Sequence, residues 1–483
     1  MDDVAAIVLA AGAGTRLKSK KPKVAHEILG KPLVNWVVDA AKQAGIGKVV
    51  AVVGHEAEQV LPLVEGDCEV AEQPERLGTA HAVQCAMESD ALQGFEGAVV
   101  ILSGDCPLIT PETIASLATT RAEHDAAAVV LTMRLDDPFG YGRIVREGFD
   151  LAAGTATTPT ITRIVEQKDA TPEEAEICEC NSGFYCFDAP SLREALKEIG
   201  TDNAQGEFYL TDALEVLRSK GLKTIALESD DPDECLGVNS RKQLAEATRI
   251  KQMQINDELM DGGVTMIAPE LVWCGPDVRI ARDVTLHPNI TLIGNVEIGE
   301  DTTLLPTTML KDTTVGEGCR IGPNTRLYDT VVGNGCVVDE TVSHEARIDD
   351  GATAGPRAYL RPGAHLCEGA KAGTHVEIKK STIGKGSKVP HLSYIGDTEM
   401  GEGVNIGAGS ITCNYDGKHK HKTIVGNNTF IGSDTMMVAP VEIGNNVVVG
   451  AGSVITKDIP DNALAVARSR EKIYDEWSIS HKK

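Results

Sequence analysis

The sequence predicts two unlike halves, a doubly wound α/β domain and a left-handed parallel β-helix of hexapeptide repeats, joined by a linker helix. Three observations predict this. From Val4 to Leu102, continuous apolar strands alternate with helical patterns. From Ser240 to Met260 the chain is charged and helix-prone, until Asp261-Gly262-Gly263 stops it. From Val272 to Thr456 it keeps a register of six. The expected divisions are residues 1–239, 240–263 and 264–483.

Residues 4–9 form a continuous apolar strand that runs into the turn Ala10-Ala11-Gly12-Ala13-Gly14-Thr15-Arg16. Val34, Val37, Val38 and Ala41 make one face of a helix ending at Gly45, and residues 48–53 and 99–102 are further strands. This alternation implies a mostly parallel sheet. Such sheets bind ligands beyond the carboxyl ends of their strands, where the glycine turn and Asp105 both fall. Gly12 and Gly14 let the backbone approach a phosphate and aim N–H groups at it. Arg16 and Lys23 can neutralise a triphosphate, and Asp105 is placed to take a divalent cation bridging the same phosphates. The turn is not a P-loop, since no Gly-Lys-Ser/Thr follows, and it does not match the G-x-G-x-x-G dinucleotide fingerprint.

This half resembles the sugar-phosphate nucleotidyltransferases. Their opening motif, L-A-A-G-x-G-T-R followed by P-K, stands here as Leu9 to Arg16 and Pro22-Lys23. The likeness continues through Gln73, Leu77-Gly78-Thr79-Ala80-His81 and Gly140-Tyr141-Gly142-Arg143-Ile144. Ile164-Val165-Glu166, Asn181-Ser182-Gly183, the run from Asn203 to Asp212, and Gly237-Val238-Asn239 complete it. The resemblance implies nucleotide contacts at Leu9, Ala11, Gly12, Gly14, Lys23, Gln73, Gly78 and Thr79, with residues 77–81 on uracil. It implies sugar-phosphate contacts at Gly142, Glu166, Asn181 and Asn239. It also implies catalytic roles for Arg16 and Lys23, and magnesium held by Asp105 and Asn239. Residues 148–160, rich in Thr and Ala, depart from the pattern and read as an enlarged surface hairpin.

In the join, Leu244, Ala247, Ile250, Leu259 and Met260 are the apolar points, and no heptad is sustained. A linker helix is therefore expected rather than a coiled-coil partner.

The six-residue register is clearest in two runs. Val278, Val284, Ile290, Val296 and Thr302 recur every sixth residue, with Ile280, Leu286, Leu292, Ile298 and Leu304 two positions later. Asp277, Asp283, Asn289, Asn295 and Asp301 precede the first set. Thr429, Thr435, Val441, Val447 and Ser453 repeat the scheme with Ile431, Met437, Ile443, Val449 and Ile455. Asn, Asp and Gly suit corners that need a left-handed backbone. One coil cannot bury its own apolar face, so coils stack into a prism. An ordinary β-sandwich would not hold this phase over so many turns.

A prism alone is not a function, so the breaks in register matter. They fall at residues 357–362, around Lys379-Lys380, at Pro390-His391, and in the polar loop 414–422. His419 and His421 allow a metal there, but three alternating lysines favour a solvated anion-binding loop. His391 alone reads as structural or as catalytic, and its company favours catalysis. Arg361 and Lys379 suit a sugar phosphate, and Tyr394 and Asn405 add hydrogen-bonding groups. A base titrating near neutrality beside a bound amine is what acyl transfer from a thioester needs.

This half resembles the hexapeptide acyltransferases through Leu360-Arg361-Pro362-Gly363, Val376-Glu377-Ile378-Lys379-Lys380, Gly384-Lys385-Gly386-Ser387-Lys388 and His391-Leu392-Ser393-Tyr394. Asn405-Ile406-Gly407-Ala408-Gly409 and Cys413-Asn414-Tyr415-Asp416-Gly417 extend the match. Both halves together are similar, over almost the whole chain, to the bifunctional N-acetylglucosamine-1-phosphate uridyltransferase and glucosamine-1-phosphate N-acetyltransferase family of bacterial cell-wall precursor synthesis. The resemblance implies acetyl-CoA and UTP as co-substrates, glucosamine 1-phosphate and N-acetylglucosamine 1-phosphate as substrates, and Mg2+ as cofactor. It implies a homotrimer with acetyl sites between subunits. It makes His391 the general base, puts Arg361 and Lys379 on the sugar phosphate, and puts Tyr394 and Asn405 on the sugar. Ala408, Ser433, Ala451 and Arg468 would line the coenzyme A channel, with Asn414 and Tyr415 near the reacting amine. Glu377 is the candidate to orient His391. A one-reaction nucleotidyltransferase with a structural β-helix would not need the set from Arg361 to Asn405. A non-catalytic interaction subunit on the same folds would be expected to lose Arg16, Lys23 and Asp105.

The net charge of −25 over 483 residues argues against general nucleic-acid or anionic-membrane binding, so anionic ligands must be held by local cations. Aromatics are 4% of the chain, as expected where coils are filled by Val, Ile, Ala and Thr. Twelve cysteines without a C-x-x-C pair read as buried thiols in a reducing compartment. Met1-Asp2-Asp3 lacks a basic secretory region, and no apolar run reaches the length of a membrane span. A cytoplasmic protein is expected.

Overall fold

Strands that are apolar along their whole length must be covered on both faces. In this computed structural model, which describes residues 1, 3–12, 14–54, 56–150, 155–156, 158–203 and 206–480, the first such strand is β1 (Val4–Leu9). It is followed by α1 (Leu33–Gln43), β2 (Lys48–Val53), β3 (Glu69–Glu72), α2 (Thr79–Glu88) and β4 (Ala98–Ser103). β1 lies between β2 and β4, parallel to both, and β3 extends the parallel set. Ala6 and Val8 of β1 pack with Val34, Val37, Val38 and Ala41 of α1 on one face. Ala5 and Ile7 pack with Val83, Ala86 and Met87 of α2 on the other. Leu9 stands opposite Ser103, so β1 and β4 end together, and the glycine turn and Asp105 leave the sheet at one edge.

The rest of the sheet corrects the mostly parallel expectation. It holds β5 (Ala128–Arg134), β6 (Arg143–Arg146), β7 (Ile161–Val165), β8 (Glu179–Asp188) and β9 (Thr224–Glu228). β8 is antiparallel to β4, β5 and β6, and β7 is antiparallel to β6, so the sheet is mixed. The segment from β6 to β8 lacks the long covering helices that parallel neighbours require, and antiparallel neighbours do without them. Phe149–Asp150 pairs antiparallel with Thr155–Ala156, as the surface-hairpin reading expects, while residues 151–154 and 157 lie outside the described residues.

The join is α3 (Arg241–Asp261). Contacts divide the chain within it, into Met1–Lys251 and Gln252–Lys483. Ala247 packs with Ile28, Leu33 and Val238 of the first unit. In the second unit, Gln252 Nε2 and Asn256 Nδ2 donate to the Val272 carbonyl at 2.7 and 2.9 Å, capping the first coil of the prism.

The second unit is a parallel β-helix. Among the described residues its three faces are sheets of 12, 11 and 10 short parallel strands. In the clean runs each coil takes eighteen residues, as Thr285 opposite Thr303 and Phe430 opposite Val448 show. Between these runs several coils shorten to seventeen or sixteen residues, as between Lys371 and Lys388 or Val337 and Thr353. Between Asn405 and Phe430 the coil carries the 414–422 loop as an insertion. Val284, Ile290, Val296, Thr302, Leu292 and Leu304 are fully buried inside. Asp283, Asn289 and Asp301 take the left-handed corner conformation, and Asp277 and Asn295 do not; Gly294, at φ 70°, turns the corner beside Asn295. All twelve thiols are free. Among the described residues, no helix is long and apolar enough to cross a membrane.

Candidate active sites

The edge where β1 and β4 end gathers the charged residues of the first unit. Gly14, at φ 57°, could not carry a Cβ, which would stand 2.5 Å from that of Lys23, so glycine lets Lys23 pack beneath the turn. The Val238 N–H donates to the Asp105 carbonyl at 2.9 Å, which brings Asn239 beside Asp105. Lys23 Nζ hydrogen-bonds Asp105 Oδ2 and lies 3.1 Å from Asn239 Oδ1, and Arg16 Nη2 donates to the same Asn239 oxygen at 2.8 Å. Two hard oxygens therefore converge on one cation. That donor set fits a divalent ion such as Mg2+.

Two cavities open from this cluster, sharing Leu9, Thr79 and Ser103 in their walls. The smaller, about 290 Å³, is lined by Ala11, Gly12, Lys23, Gln73, Gly78 and Asp105 besides the shared residues. Gly78 has φ 116°, and a Cβ there would run into the Phe208 backbone. The Phe208 N–H donates to the Leu77 carbonyl at 2.7 Å and the Phe208 carbonyl accepts from the Ala80 N–H at 3.0 Å, so two distant motifs are strapped together at the start of α2. Gln73 Nε2 donates to the Gly78 carbonyl at 3.1 Å. The larger cavity, about 600 Å³, is lined by Arg16, Glu166 and Asn181, and the Asn181 N–H donates to the Gly142 carbonyl at 2.8 Å, which brings Gly142 beside it. Burial, then the nearby Asp169 and Asp212, push the Glu166 carboxyl above its ordinary pKa.

Sequence reasoning missed several residues that shape this cavity. Arg143 is buried, and its Nη2 donates to Gln167 Oε1 at 2.8 Å, while Gly140 N–H donates to the same oxygen at 2.9 Å. This fixes the turn that carries Gly142. Asn181 Nδ2 donates to the buried Tyr185 hydroxyl at 2.8 Å. Gly140 to Arg143 lay inside a quoted motif, yet no spacing rule pairs Arg143 with Gln167. Of the sequence-derived residues, Ala13 and Ala204-Gln205 lie outside the described residues.

In the second unit, Arg361, Lys379 and Tyr394 come from successive coils of one face. Arg361 Nη1 donates to Glu377 Oε1 at 2.8 Å, and Lys379 Nζ is 3.7 Å from Asp397 Oδ2. Asn414 Nδ2 donates to Asp397 Oδ2 at 2.5 Å and to the Tyr394 hydroxyl at 3.4 Å. A Cβ on Gly396 would collide with both Tyr394 Oη and Asn414 Nδ2, so glycine allows that meeting. The 414–422 loop folds around Asp416, whose carboxylate accepts from the N–H groups of Lys418 and His419 and bonds His421 at 2.7 Å. The His419 and His421 bonds, with that of Lys418, hold Asp416 well below the usual carboxylate range. The loop brings Lys420 beside Lys379, whose neighbouring amine holds Lys420 below the ordinary lysine value. Lys420 and Asp397 were not singled out by sequence.

His391 is exposed and ends the strand Lys388–His391, on the face that also carries Asn405. Within one chain these two stand across a prism corner from the Arg361 face. Glu377 pairs with Arg361, and among the described residues no hydrogen bond joins it to His391. Ala408, Ser433, Ala451 and Arg468 stack coil upon coil: Asp434 N–H donates to Ala408 O and Gly452 N–H to Ser433 O, both at 2.8 Å. Arg468 Nη1 then donates to Ala451 O at 2.9 Å. Tyr415 is exposed on the loop.

A sugar-nucleotide-type α/β unit with a cation–carboxylate cluster, followed by a hexapeptide prism with a second cation cluster, defines a two-part transferase. Residues 6–176 match the MobA-like NTP transferase domain family, and residues 422–457 match the bacterial transferase hexapeptide (six repeats) family. The chain is 47% identical over 482 residues to the bifunctional protein GlmU of Geobacter sulfurreducens, covering 99% of both chains. It is 48% identical to that of Geobacter metallireducens over the full length of both, and 46% identical to that of Carboxydothermus hydrogenoformans over 96% and 98%. The chain belongs to the GlmU family of bifunctional proteins.

Proposed function

We propose that the chain makes UDP-N-acetylglucosamine in two steps, acetyl transfer in residues 264–483 and uridyl transfer in residues 1–239. In the first step the amine of glucosamine 1-phosphate attacks the acetyl-CoA carbonyl. A C–N bond forms, the C–S bond breaks, His391 takes the amine proton, and coenzyme A leaves as its thiol. Arg361, Lys379 and Lys420 hold the phosphate, Tyr394 and Asn405 the sugar, and Asn414 and Tyr415 border the amine. Ala408, Ser433, Ala451 and Arg468 line the coenzyme A path. Because His391 and Arg361 belong to different faces of one prism, we assign completion of the site to a neighbouring subunit in a homotrimer.

In the second step a phosphate oxygen of N-acetylglucosamine 1-phosphate attacks the α-phosphorus of UTP in line, and pyrophosphate leaves. Arg16 and Lys23 neutralise the developing charge, and Leu9, Ala11, Gly12, Gly14, Gln73, Gly78 and Thr79 position the nucleotide. Gly142, Glu166, Asn181 and Asn239 hold the sugar phosphate. Mg2+, held by Asp105 and Asn239, supplies Lewis-acid polarisation of the phosphates when bound. UTP and acetyl-CoA place the work in the cytoplasm.

The observation that carries this reading is two cation clusters of different construction in one strongly acidic chain: Arg16 and Lys23 on Asp105 and Asn239, and Arg361 and Lys379, with Lys420 beside Lys379. The test is thiol release from acetyl-CoA with glucosamine 1-phosphate, with the 6-phosphate as control. Release with the 1-phosphate alone, and UDP-N-acetylglucosamine on adding UTP, is the expected result. No release from a chain that still makes the nucleotide sugar from N-acetylglucosamine 1-phosphate would reduce the prism to a scaffold.

A further inference from the structure

Away from both clusters, the prism carries a constellation that neither reaction uses. In the parallel ladder Arg347 stands opposite His365, and Ile348 opposite Leu366. Ile348 and Leu366 are buried in the core, so the residues on either side of them face outward. Arg347 and His365 form one outward column, and Asp349 and Cys367 form the next. Their backbone is fixed by the ladder: Asp349 N–H donates to Leu366 O at 2.8 Å, and Cys367 N–H to Ile383 O at 2.9 Å. His365 Nε2 lies 2.7 Å from Asp349 Oδ2 and 3.9 Å from Cys367 Sγ. One donor atom from each of the three lies within 4.8 Å of the others. Arg347 Nε holds the other carboxylate oxygen, Oδ1, at 2.7 Å, which leaves Oδ2 aimed at the group. All three side chains are half-buried.

We propose that Asp349, His365 and Cys367 bind a borderline-soft divalent transition ion of the Zn2+ class. An imidazole nitrogen, a thiolate sulfur and a carboxylate oxygen are the ligand types that class takes, whereas Mg2+ favours oxygen alone. Arg347 acts as the outer partner that orients the ligating carboxylate. On binding, the Cys367 thiol gives its proton to solvent. Lone pairs of Sγ, Nε2 and Oδ2 go to the ion, which replaces the His365–Asp349 hydrogen bond, and the fourth position faces water. Asp349 belongs to the coil before His365 and Cys367, so the ion clips two successive coils together. The released proton makes binding strengthen as pH rises.

The test titrates the full-length chain with Co2+ as a spectroscopic probe, in excess Mg2+. A thiolate-to-cobalt charge-transfer band saturating at one ion per chain, and lost on adding Zn2+, is expected. Cys178→Ser, which removes a half-exposed thiol elsewhere, keeps the band. Cys367→Ser loses it, and His365→Ala weakens Co2+ binding by roughly tenfold or more. No band in the parent chain, or a band that survives Cys367→Ser, overturns the proposal. Should Cys367→Ser melt early, alkylation of the parent chain decides the question. Protection of Cys367 by Zn2+ supports the site, and unchanged labelling overturns it.

Discussion

Glu166 combines a place in the cavity wall with an environment that opposes its charge. Burial removes its hydration, and Asp169 and Asp212 add repulsion, so its folded pKa rises above the ordinary 4.5. The folded chain then binds more protons than the unfolded chain between 4.5 and the raised value. The stability this group contributes is full below 4.5 and is lost as pH rises through the raised value. Glu166→Gln removes that loss. Urea melts of the first unit, followed by amide exchange in β1 and β4, should show the variant gaining on the parent as pH rises from 4.5 to neutrality. Parallel pH curves would contradict the argument. The same variant should raise KM for N-acetylglucosamine 1-phosphate roughly tenfold, the worth of one hydrogen bond to a charged group. At this scale the sequence spoke unevenly. The motifs reach Glu166, Asn181 and Lys23 because ligand chemistry demands those residue types at those spacings. Arg143 holding Gln167, and Glu377 holding Arg361, are pairings made by the fold, with no demand on residue type at a fixed distance.

At the scale of elements, α3 performs a task its composition does not announce. A parallel β-helix begins with an edge whose carbonyls lack a preceding coil. Gln252 and Asn256, both buried, place amide donors on the carbonyls of residues 269–272. Asn256→Ala strips donors from the Pro269 and Val272 carbonyls and should cost about 1–3 kcal/mol. Because the caps act on the first coil, the loss should appear as faster amide exchange at residues 272–274 and 290–293, with the last coils unchanged. Uniform acceleration through the prism would mean that α3 is not a local cap. The helix itself was legible from its helix formers and its Gly-Gly stop, whereas its capping amides look like ordinary polar positions. The six-residue register was legible for a stronger reason, since each corner and each inward position repeats the same steric demand. It also held a signal that went unread. Adding one coil of eighteen to Asp349 gives Cys367, so stacking the sequence by coil length brings the two together.

At the scale of the whole molecule, the net charge of −25 opposes every anionic substrate the chain is proposed to bind. Each half therefore assembles its own cations: Arg16 and Lys23 against Asp105 and Asn239, and Arg361, Lys379 and Lys420 around Tyr394. The units have separate cores, one filled by the prism interior and the others flanking the mixed sheet. Lesions in one site should then leave the other intact. Asp105→Ala should lower uridyl transfer by roughly two to three orders of magnitude, the scale of losing one preorganised charge-stabilising group, and spare acetylation. His391→Ala should lower acetyl transfer by roughly a hundredfold to ten-thousandfold, the range for a general base, and spare uridyl transfer. His391 is exposed, so its removal leaves no cavity, and unchanged melting checks that the loss is chemical. Separate sites require the acetylated sugar phosphate to leave one and reach the other, so mixing the two variants should restore nucleotide-sugar synthesis from glucosamine 1-phosphate, after a lag while the intermediate accumulates. Either variant losing both activities while still folded would mean the two chemistries share machinery, and the separate-site reading would fall.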